Sequence, residues 1–234
     1  MNNALQLASA IEHTLLRPEA TGEQIDQLCD DAVRYAFAGV CVHPVYVRRC
    51  VRRLESLRST SSSAGSGPVV VSVAGFPLGA NCSETKADEA RRAMDDGATE
   101  VDMVIHLGAL CSGDAKSVRH DVESVVRVVH RARGDGIVKV ILETTALTAE
   151  QIVMGCRCCA EAEADFVKTS SGFHPSGGAT IEHVRLLHRH AAPMRVKAAG
   201  GIRTAADASS MLDAGASRIG TSNGVAIVAE ASRC

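Results

Sequence analysis

Short runs of apolar residues recur along the 234-residue chain, and a longer stretch with helical spacing of its apolar residues follows most of them. The runs are continuous rather than alternating, which is typical of parallel strands that are covered by helices. Seven of these runs clearly predict strands, at 39–43, 69–76, 100–106, 138–143, 166–170, 195–201 and 218–222. A weaker candidate, IEHTLL at 11–16, precedes them.

The stretches between these runs carry the signals of helix ends. TAEQIVM and TIEHVRL open on Thr with Glu in the first turn, as a helix N-cap requires. DDGA and DAGA place Gly where a helix would stop. Repeated strand–helix units favour a single-domain (β/α)₈ TIM barrel over residues 1–234, with a short N-terminal helix. An open sheet remains the alternative, because IEHTLL is a poor strand.

One segment, STSSSAGSGP at 59–68, is low in complexity. Its small and polar residues favour a flexible loop before the next strand, because a single domain needs no linker at that point.

Composition excludes several classes of partner. The chain has 25 Lys and Arg against 27 Asp and Glu, a formal net charge of −2, so neither nucleic acid nor an anionic membrane is expected to bind. No apolar run approaches the roughly 20 residues that a membrane-spanning helix needs. The N-terminal residues lack the pattern of a secretory signal, and we therefore predict a cytoplasmic protein.

Nine cysteines are scattered through the periodic segments, which favours reduced thiols. Cys156 and Cys159 could share a helix face and hold a metal ion. No second pair of Cys or His lies nearby at the spacing of a zinc site, so we predict no metal.

Charged residues interrupt four of the predicted strands, at Asp102, Lys139, Glu143, Lys168 and Lys197. Inside a barrel strand, a charge is expected to point inward, near the C-terminal mouth where barrel enzymes place their chemistry. Period-two alternation predicts one shared face for Lys139 and Glu143. Each residue alone could also belong to a structural ion pair.

The same alternation predicts a shared face for Asp102 and His106. Two lysines and a carboxylate together suggest more than an ion pair. A partly desolvated lysine beside another cation loses its proton more readily, and the free amine can form a Schiff base with a carbonyl substrate. Asp102 could then transfer a proton next to the reacting carbon. The pattern leaves open whether Lys168 or Lys197 is the nucleophile.

Glycine-rich turns follow the last three predicted strands, as SSGF at 170–173, GG at 200–201 and GTSNG at 220–224. Turns that open toward helix N-termini present backbone N–H groups, which bind phosphate. Late loops often form the phosphate site of a barrel enzyme, so a phosphorylated substrate is expected.

Five segments closely resemble those of the deoxyribose-phosphate aldolase family: FVKTSSGF, VKAAGGIRT, EVDMVIHLGAL, GFPLGAN and RIGTSNGVAIV. The likeness runs in order from IEHTLL to GVAIV and covers almost the whole chain. It implies a cofactor-free class I aldolase of deoxyribonucleotide catabolism. Such an enzyme cleaves 2-deoxy-D-ribose 5-phosphate reversibly to D-glyceraldehyde 3-phosphate and acetaldehyde, and assembles as a homodimer or homotetramer.

The resemblance also implies roles for single residues. Lys168 would form the Schiff base, Lys197 would favour the neutral amine of Lys168, and Asp102 would relay protons through a water molecule. Lys139 would line the same site. The other substrate contacts that we expect are Glu12, Thr169, Gly172, Gly200, Gly201, Gly220, Ser222 and Asn223.

Several positions depart from the family pattern. Glu12 stands where the family has the aspartate of IDHTLL, and its carboxylate is one methylene longer. His43 and His106 replace expected asparagines, and Asn223 replaces a second serine. The chain ends in Cys234, whereas many relatives end in a tyrosine that assists proton transfer, so we expect slower proton transfer.

Two other functions fit the same residues. A related Schiff-base lyase would release a fragment larger than acetaldehyde, and a sugar-phosphate-binding barrel would not turn its ligand over. Cys41, in a strand that carries a cysteine near the substrate in this family, is either a buried apolar residue or a reactive thiol.

Overall fold

The computed structural model describes residues 3–60 and 67–233. Most of the loop predicted at 59–68, and the terminal Cys234, therefore lie outside the described residues.

Eight parallel strands form a closed barrel in which each strand pairs with its neighbours in chain order and β8 pairs with β1. The strands are β1 (Ile11–Leu15), β2 (Gly39–Val42), β3 (Val69–Ala74), β4 (Glu100–Val104), β5 (Ile137–Ile141), β6 (Phe166–Lys168), β7 (Arg195–Ala199) and β8 (Arg218–Thr221). The predicted (β/α)₈ fold is confirmed. The doubtful strand, IEHTL, closes the barrel because it pairs with both β2 and β8, so the open-sheet alternative is wrong.

Helices cover the outside of the barrel, and a short helix precedes β1 as predicted. They are α1 (Asn3–Ala10), α2 (Gly22–Arg34), α3 (Val47–Thr60), α4 (Ser83–Asp95), α5 (Leu107–Ser112), α6 (Ala115–Ala132), α7 (Ala149–Glu161), α8 (Ile181–His190), α9 (Ala205–Asp213) and α10 (Gly224–Ala231). Thr148 and Thr204 each form a capping box at the start of their helices. Thr180 accepts a hydrogen bond from the amide of His183, so the predicted helix starts are present.

The strands separate an apolar outer layer from a mixed interior. Outward side chains such as Val101 and Met103 join the large core under the helices. Inside the barrel, a small apolar group of Leu16, Cys41, Val71 and Val73 fills the side formed by the first strands. Charged side chains occupy the rest of the interior.

Strand ends limit the predicted alternation. β4 ends at Val104, and His106 caps helix α5 through its ring, so the expected shared face with Asp102 is wrong. β5 ends at Ile141, and Glu143 adopts a left-handed backbone conformation beyond it. The expected shared face of Lys139 and Glu143 is therefore also wrong.

Candidate active site

Six charged side chains from five strands meet inside the barrel, and we call them the charge cluster. None is more than 3% exposed. Charges at this depth are tolerated only when each is paired. The members are Glu12 on β1, Glu100 and Asp102 on β4, Lys139 on β5, Lys168 on β6 and Lys197 on β7.

Asp102 lies at the centre of the charge cluster and accepts hydrogen bonds from three lysines. Its Oδ2 lies 2.7 Å from Lys168 Nζ and 2.6 Å from Lys197 Nζ, and its Oδ1 lies 3.1 Å from Lys139 Nζ. Burial by itself raises the pKa of this carboxyl, but the three ammonium charges outweigh it and hold the pKa well below its usual range. Asp102 is therefore a carboxylate at neutral pH.

Lys197 is held between two carboxylates. Its Nζ donates to Asp102 and to Glu12 Oε2. Burial lowers the pKa of Lys197, but the negative charges of Asp102 and Glu12 outweigh it and raise the pKa above its ordinary value. Lys197 is therefore a fixed cation beside the carboxylate that Lys168 also contacts.

The longer side chain of Glu12 reaches the charge cluster and is fully buried there. Its Oε1 lies 3.5 Å from Lys139 Nζ and 3.7 Å from Arg218 Nη1. Burial raises the pKa of Glu12, but Lys139 and Lys197 lower it more. Neither Glu12 nor Lys139 lines the cavity described below, so substrate contact by these two residues stays a prediction.

Sequence reasoning missed Glu100, which belongs to the charge cluster, and Arg218, which contacts the cluster. Glu100 Oε2 lies 2.5 Å from Lys139 Nζ, and Arg218 at the start of β8 lies 3.8 Å from Glu100. The signal for Glu100 was present, because it precedes Asp102 by two residues on the same strand and so shares its face. Arg218 begins a strand and carried no such signal.

A cavity of about 580 Å³ opens at the C-terminal ends of the strands. Lys168 lines it, whereas Asp102 and Lys197 lie beneath it. The expected phosphate-loop residues line the same cavity: Gly172, Gly200, Gly201, Gly220, Ser222 and Asn223. Thr169 does not line the cavity, because it is buried. Its hydroxyl donates to the Ala199 carbonyl and accepts from the Ala199 amide on β7.

Backbone donors and cations give the mouth of this cavity a positive character. Helix α10 begins at Gly224, and its N-cap residue Asn223 makes no side-chain capping hydrogen bond. The first amides of α10 therefore remain uncapped at the cavity, where the helix dipole favours an anion. Arg17 and Arg203 also line the cavity, and sequence reasoning missed both.

The loop after β6 differs from expectation. The amide of Ser171 donates to the Glu143 carboxylate, that of Gly172 to Ser170 Oγ, and that of Phe173 to Ser171 Oγ. These three amides donate to side chains of the protein in this structure, so phosphate binding by the amides of SSGF stays a prediction.

The two unusual histidines lie outside the cavity. His43 Nε2 is 2.9 Å from the Leu16 carbonyl oxygen, and its ring meets Phe76 edge-on. His106 Nδ1 accepts from the Ala109 amide. Both therefore support loop structure, and neither lines the cavity that holds Lys168.

Cys41 is fully buried inside the barrel, and burial raises the pKa of its thiol to about 11. We therefore expect iodoacetamide to modify the exposed Cys82 and Cys111 first at neutral pH. Cys41 should react at least about 100-fold more slowly, since each pKa unit lowers the thiolate fraction tenfold. Peptide mass spectrometry of timed samples measures this, with denatured protein as the control. Equal labelling of Cys41 and Cys82 in folded protein would contradict it.

The metal prediction concerned Cys156 and Cys159, which are buried in α7 among core residues. Among residues 3–60 and 67–233, no group of His, Cys, Asp and Glu could hold a metal ion. In the same part of the chain, no helix is both long and apolar enough to span a membrane.

A closed parallel barrel, with a lysine that lines the cavity and a carboxylate and a second lysine beneath it, is typical of a barrel enzyme with a reactive lysine. A family model, described as DeoC/LacD family aldolase, matches residues 7–230, and the chain belongs to this family.

Similar proteins agree over nearly the full length. Deoxyribose-phosphate aldolase of Thermococcus gammatolerans is 49% identical over 225 residues, which cover 96% of each chain. The enzyme of the same name from Brevibacillus brevis is 49% identical over 219 residues and 93% of each chain. The resemblance found in the sequence is confirmed.

Solved structures give the same result. A putative deoxyribose-phosphate aldolase from Coccidioides immitis superposes with a TM-score of 0.87 at 43% identity, over 99% of this chain and 87% of that one. A tetrameric deoxyribose phosphate aldolase from Aeropyrum pernix gives a TM-score of 0.86 at 35% identity, over 97% of this chain and 91% of that one.

Proposed function

We propose that this protein cleaves 2-deoxy-D-ribose 5-phosphate reversibly to D-glyceraldehyde 3-phosphate and acetaldehyde, through a Schiff base, in deoxyribonucleotide catabolism. The observation that carries the proposal is the position of Lys168, which lines the cavity while its Nζ lies 2.7 Å from Asp102. The family membership and the names of the relatives support the choice of substrate.

The geometry favours Lys168 over Lys197 as the nucleophile. Lys168 is the one lysine of the charge cluster that lines the cavity, whereas Lys197 is fully enclosed between Asp102 and Glu12. Charge balance is also compatible with a neutral Lys168. If Lys168 loses its proton, Lys139, Lys197 and Arg218 remain as three cations against three carboxylates.

In the proposed reaction, Lys168 Nζ attacks the C1 aldehyde carbon of the open-chain sugar, and loss of water gives a protonated imine. Removal of the C3 hydroxyl proton then forms the C3 carbonyl and breaks the C2–C3 bond. D-glyceraldehyde 3-phosphate leaves, and the electron pair of the broken bond is held as an enamine on the two-carbon fragment. Protonation of C2 and addition of water to the imine release acetaldehyde and free Lys168.

Asp102 is suited to the proton steps of this sequence. It is ionised in the free enzyme and touches Lys168, so it can accept the proton that the amine loses during imine formation. A water molecule in the cavity can carry protons between Asp102 and the C2 or C3 positions. Lys197 remains charged and holds Asp102 in place.

The substrate phosphate fits the outer part of the cavity. The uncapped N-terminus of α10, the Gly200–Gly201 turn and the two arginines Arg17 and Arg203 all line that region. Holding the dianion there uses binding energy remote from the reacting bond to orient that bond over Lys168.

We further propose a cytoplasmic homodimer or homotetramer. The Aeropyrum pernix relative is described as a tetramer, which supports assembly but leaves the number of subunits in this protein open.

Product analysis tests the proposed function. We expect purified protein to convert 2-deoxy-D-ribose 5-phosphate to acetaldehyde and D-glyceraldehyde 3-phosphate in equal amounts, each measured with its own NAD-linked coupling enzyme. A different or larger released fragment would indicate the related Schiff-base lyase. Saturable substrate binding without any product would indicate a binding protein.

A further inference from the structure

Glu143, just beyond β5, is a buried carboxylate that the mechanism above does not use. It is 2% exposed, and both of its oxygens lie 3.2 Å from the backbone amide of Ser171. Within the described part of the chain, no Lys, Arg or His side chain forms an ion pair with it. A buried carboxylate held by one amide alone is unfavourable unless the position serves a purpose.

The backbone at Glu143 is also unfavourable. Its φ of 60° and ψ of 54° are left-handed, a conformation that suits Gly or Asn better than Glu. Strained backbone of this kind persists where the surrounding structure requires it, commonly at functional sites. The burial of the carboxylate and the strain of the backbone are two independent observations, and both indicate that the contact of Glu143 with Ser171 has a function.

Ser171 belongs to the loop that forms one wall of the cavity. It follows Lys168 by three residues, and the next residue, Gly172, lines the cavity. The Ser171 amide is the point at which Glu143 fixes this loop. Movement of the loop would change the distance between the reactive lysine and the phosphate region.

The far end of the same loop is fastened as well. Thr145, two residues after Glu143, bonds Ser176 with an Oγ–Oγ distance of 3.0 Å. The amide of Ala179 donates to the Gly200 carbonyl at 2.9 Å, and a Cβ added at Gly178 would lie 2.3 Å from that oxygen. The loop after β6 is thus bonded on one side to the loop after β5 and on the other to Gly200 of the phosphate region.

We propose that Glu143 is a positioning residue that fixes the cavity wall at residues 170–172, and so sets the affinity for the phosphorylated end of the substrate. This inference rests on the proposed function, because it assumes a sugar phosphate as substrate. It assigns Glu143 no part in imine formation at Lys168.

Two variants test the inference. Glu143→Gly removes the carboxylate but suits the left-handed backbone, so the protein should fold with an unchanged or higher Tm. We expect its KM for 2-deoxy-D-ribose 5-phosphate to rise about tenfold, with kcat changed less than about threefold, as for loss of one hydrogen bond to a charged group. Glu143→Gln keeps an acceptor oxygen and should stay within about twofold of wild type in both constants.

A substrate without phosphate distinguishes the proposed effect from a general structural defect, because a general defect would also lower kcat/KM for that substrate. For Glu143→Gly, kcat/KM for unphosphorylated 2-deoxy-D-ribose should be unchanged. Borohydride trapping of acetaldehyde on Lys168 should also match wild type. If Glu143→Gly fails to fold, Glu143→Asn replaces it, since Asn tolerates the left-handed conformation and is one methylene shorter.

The outcomes separate the two levels of the argument. An unchanged KM in a folded variant, or an equal loss with both sugars, would overturn the positioning role of Glu143 alone. A wild-type protein that neither cleaves the sugar phosphate nor traps acetaldehyde would overturn the proposed function, and the positioning role with it.

Discussion

Replacing Lys168 with methionine is expected to lower kcat/KM for 2-deoxy-D-ribose 5-phosphate by at least about 10⁴-fold, as expected for loss of a covalent nucleophile. Methionine fills a similar volume but has no amine, so no imine can form. The variant should fold, because Lys139 and Lys197 still contact Asp102. The coupled assay for acetaldehyde measures the loss, and circular dichroism confirms the fold.

Lys168→Arg is the matched control for the ion pair. The guanidinium keeps a positive charge beside Asp102 but is not a nucleophile at neutral pH. If the ion pair with Asp102 were the whole function of Lys168, the arginine variant would retain activity and only methionine would abolish it. We expect both variants to be inactive, and substantial activity in either would contradict the assigned nucleophile.

Asp102→Asn is expected to have the second largest effect. It should lower kcat by about 10²–10⁴-fold, because the amide can neither accept the proton of Lys168 nor return it. Asp102 also holds three lysines, so its loss leaves Lys139, Lys168, Lys197 and Arg218 against two carboxylates. Breaking a buried pair of this kind costs about 3–5 kcal/mol, which thermal unfolding will show as a lower Tm.

Glu12→Gln separates these two effects. Glu12 carries the same charge in the same charge cluster and contacts Lys197 and Lys139, with no contact to Lys168. The Glu12 variant should therefore lose comparable stability while kcat stays within about tenfold of wild type. An equal loss of kcat in the two variants would mean that overall charge balance, rather than contact with the nucleophile, determines catalysis.

The stability loss in Asp102→Asn should depend on pH in a defined direction. The pKa of Asp102 is lowered in the folded protein, so its contribution to stability is fully present above the unfolded value of about 3.9. That contribution disappears as the pH falls through the folded pKa. The difference in unfolding free energy between wild type and the variant should therefore be largest near neutral pH and shrink below about pH 4.

Much of this site could be predicted from the sequence, because strand alternation works as long as the strand continues. Asp102 and Lys139 lie inside strands and point into the barrel, as predicted, and the register pairs them directly. Glu143 and His106 lie past the strand ends, where a left-handed residue and a helix cap replace the alternation. The periodicity of the sequence does not locate the end of a strand accurately enough to exclude these two residues from it.

The depth of a side chain along the barrel axis was a second feature that the sequence could not predict. Alternation says that a side chain points inward, but strand register decides how far it lies from the mouth. Lys168 pairs with Ile141, so Lys139 lies two residues further down its strand and away from the cavity. The sequence therefore could not separate the lysine that lines the cavity from those buried below it.

Pairing between side chains of different helices was a third feature that the sequence could not predict. Lys86 of α4 appears in the sequence as an ordinary surface lysine, yet it is fully buried and lies 2.7 Å from Asp121 of α6. A helix pattern gives no sign of a partner on another helix. The pair also binds the end of β4, since Lys86 donates to the Val104 carbonyl and Asp121 accepts from the His106 amide.

The most direct test of the central claim is borohydride trapping of wild-type protein with 2-deoxy-D-ribose 5-phosphate, followed by peptide mass spectrometry. We predict a reduced two-carbon adduct on Lys168 and none on Lys197, because Lys168 alone of the two lines the cavity. An adduct on Lys197 would reverse the roles of the two lysines. A folded protein that gives no lysine adduct would contradict the Schiff-base mechanism.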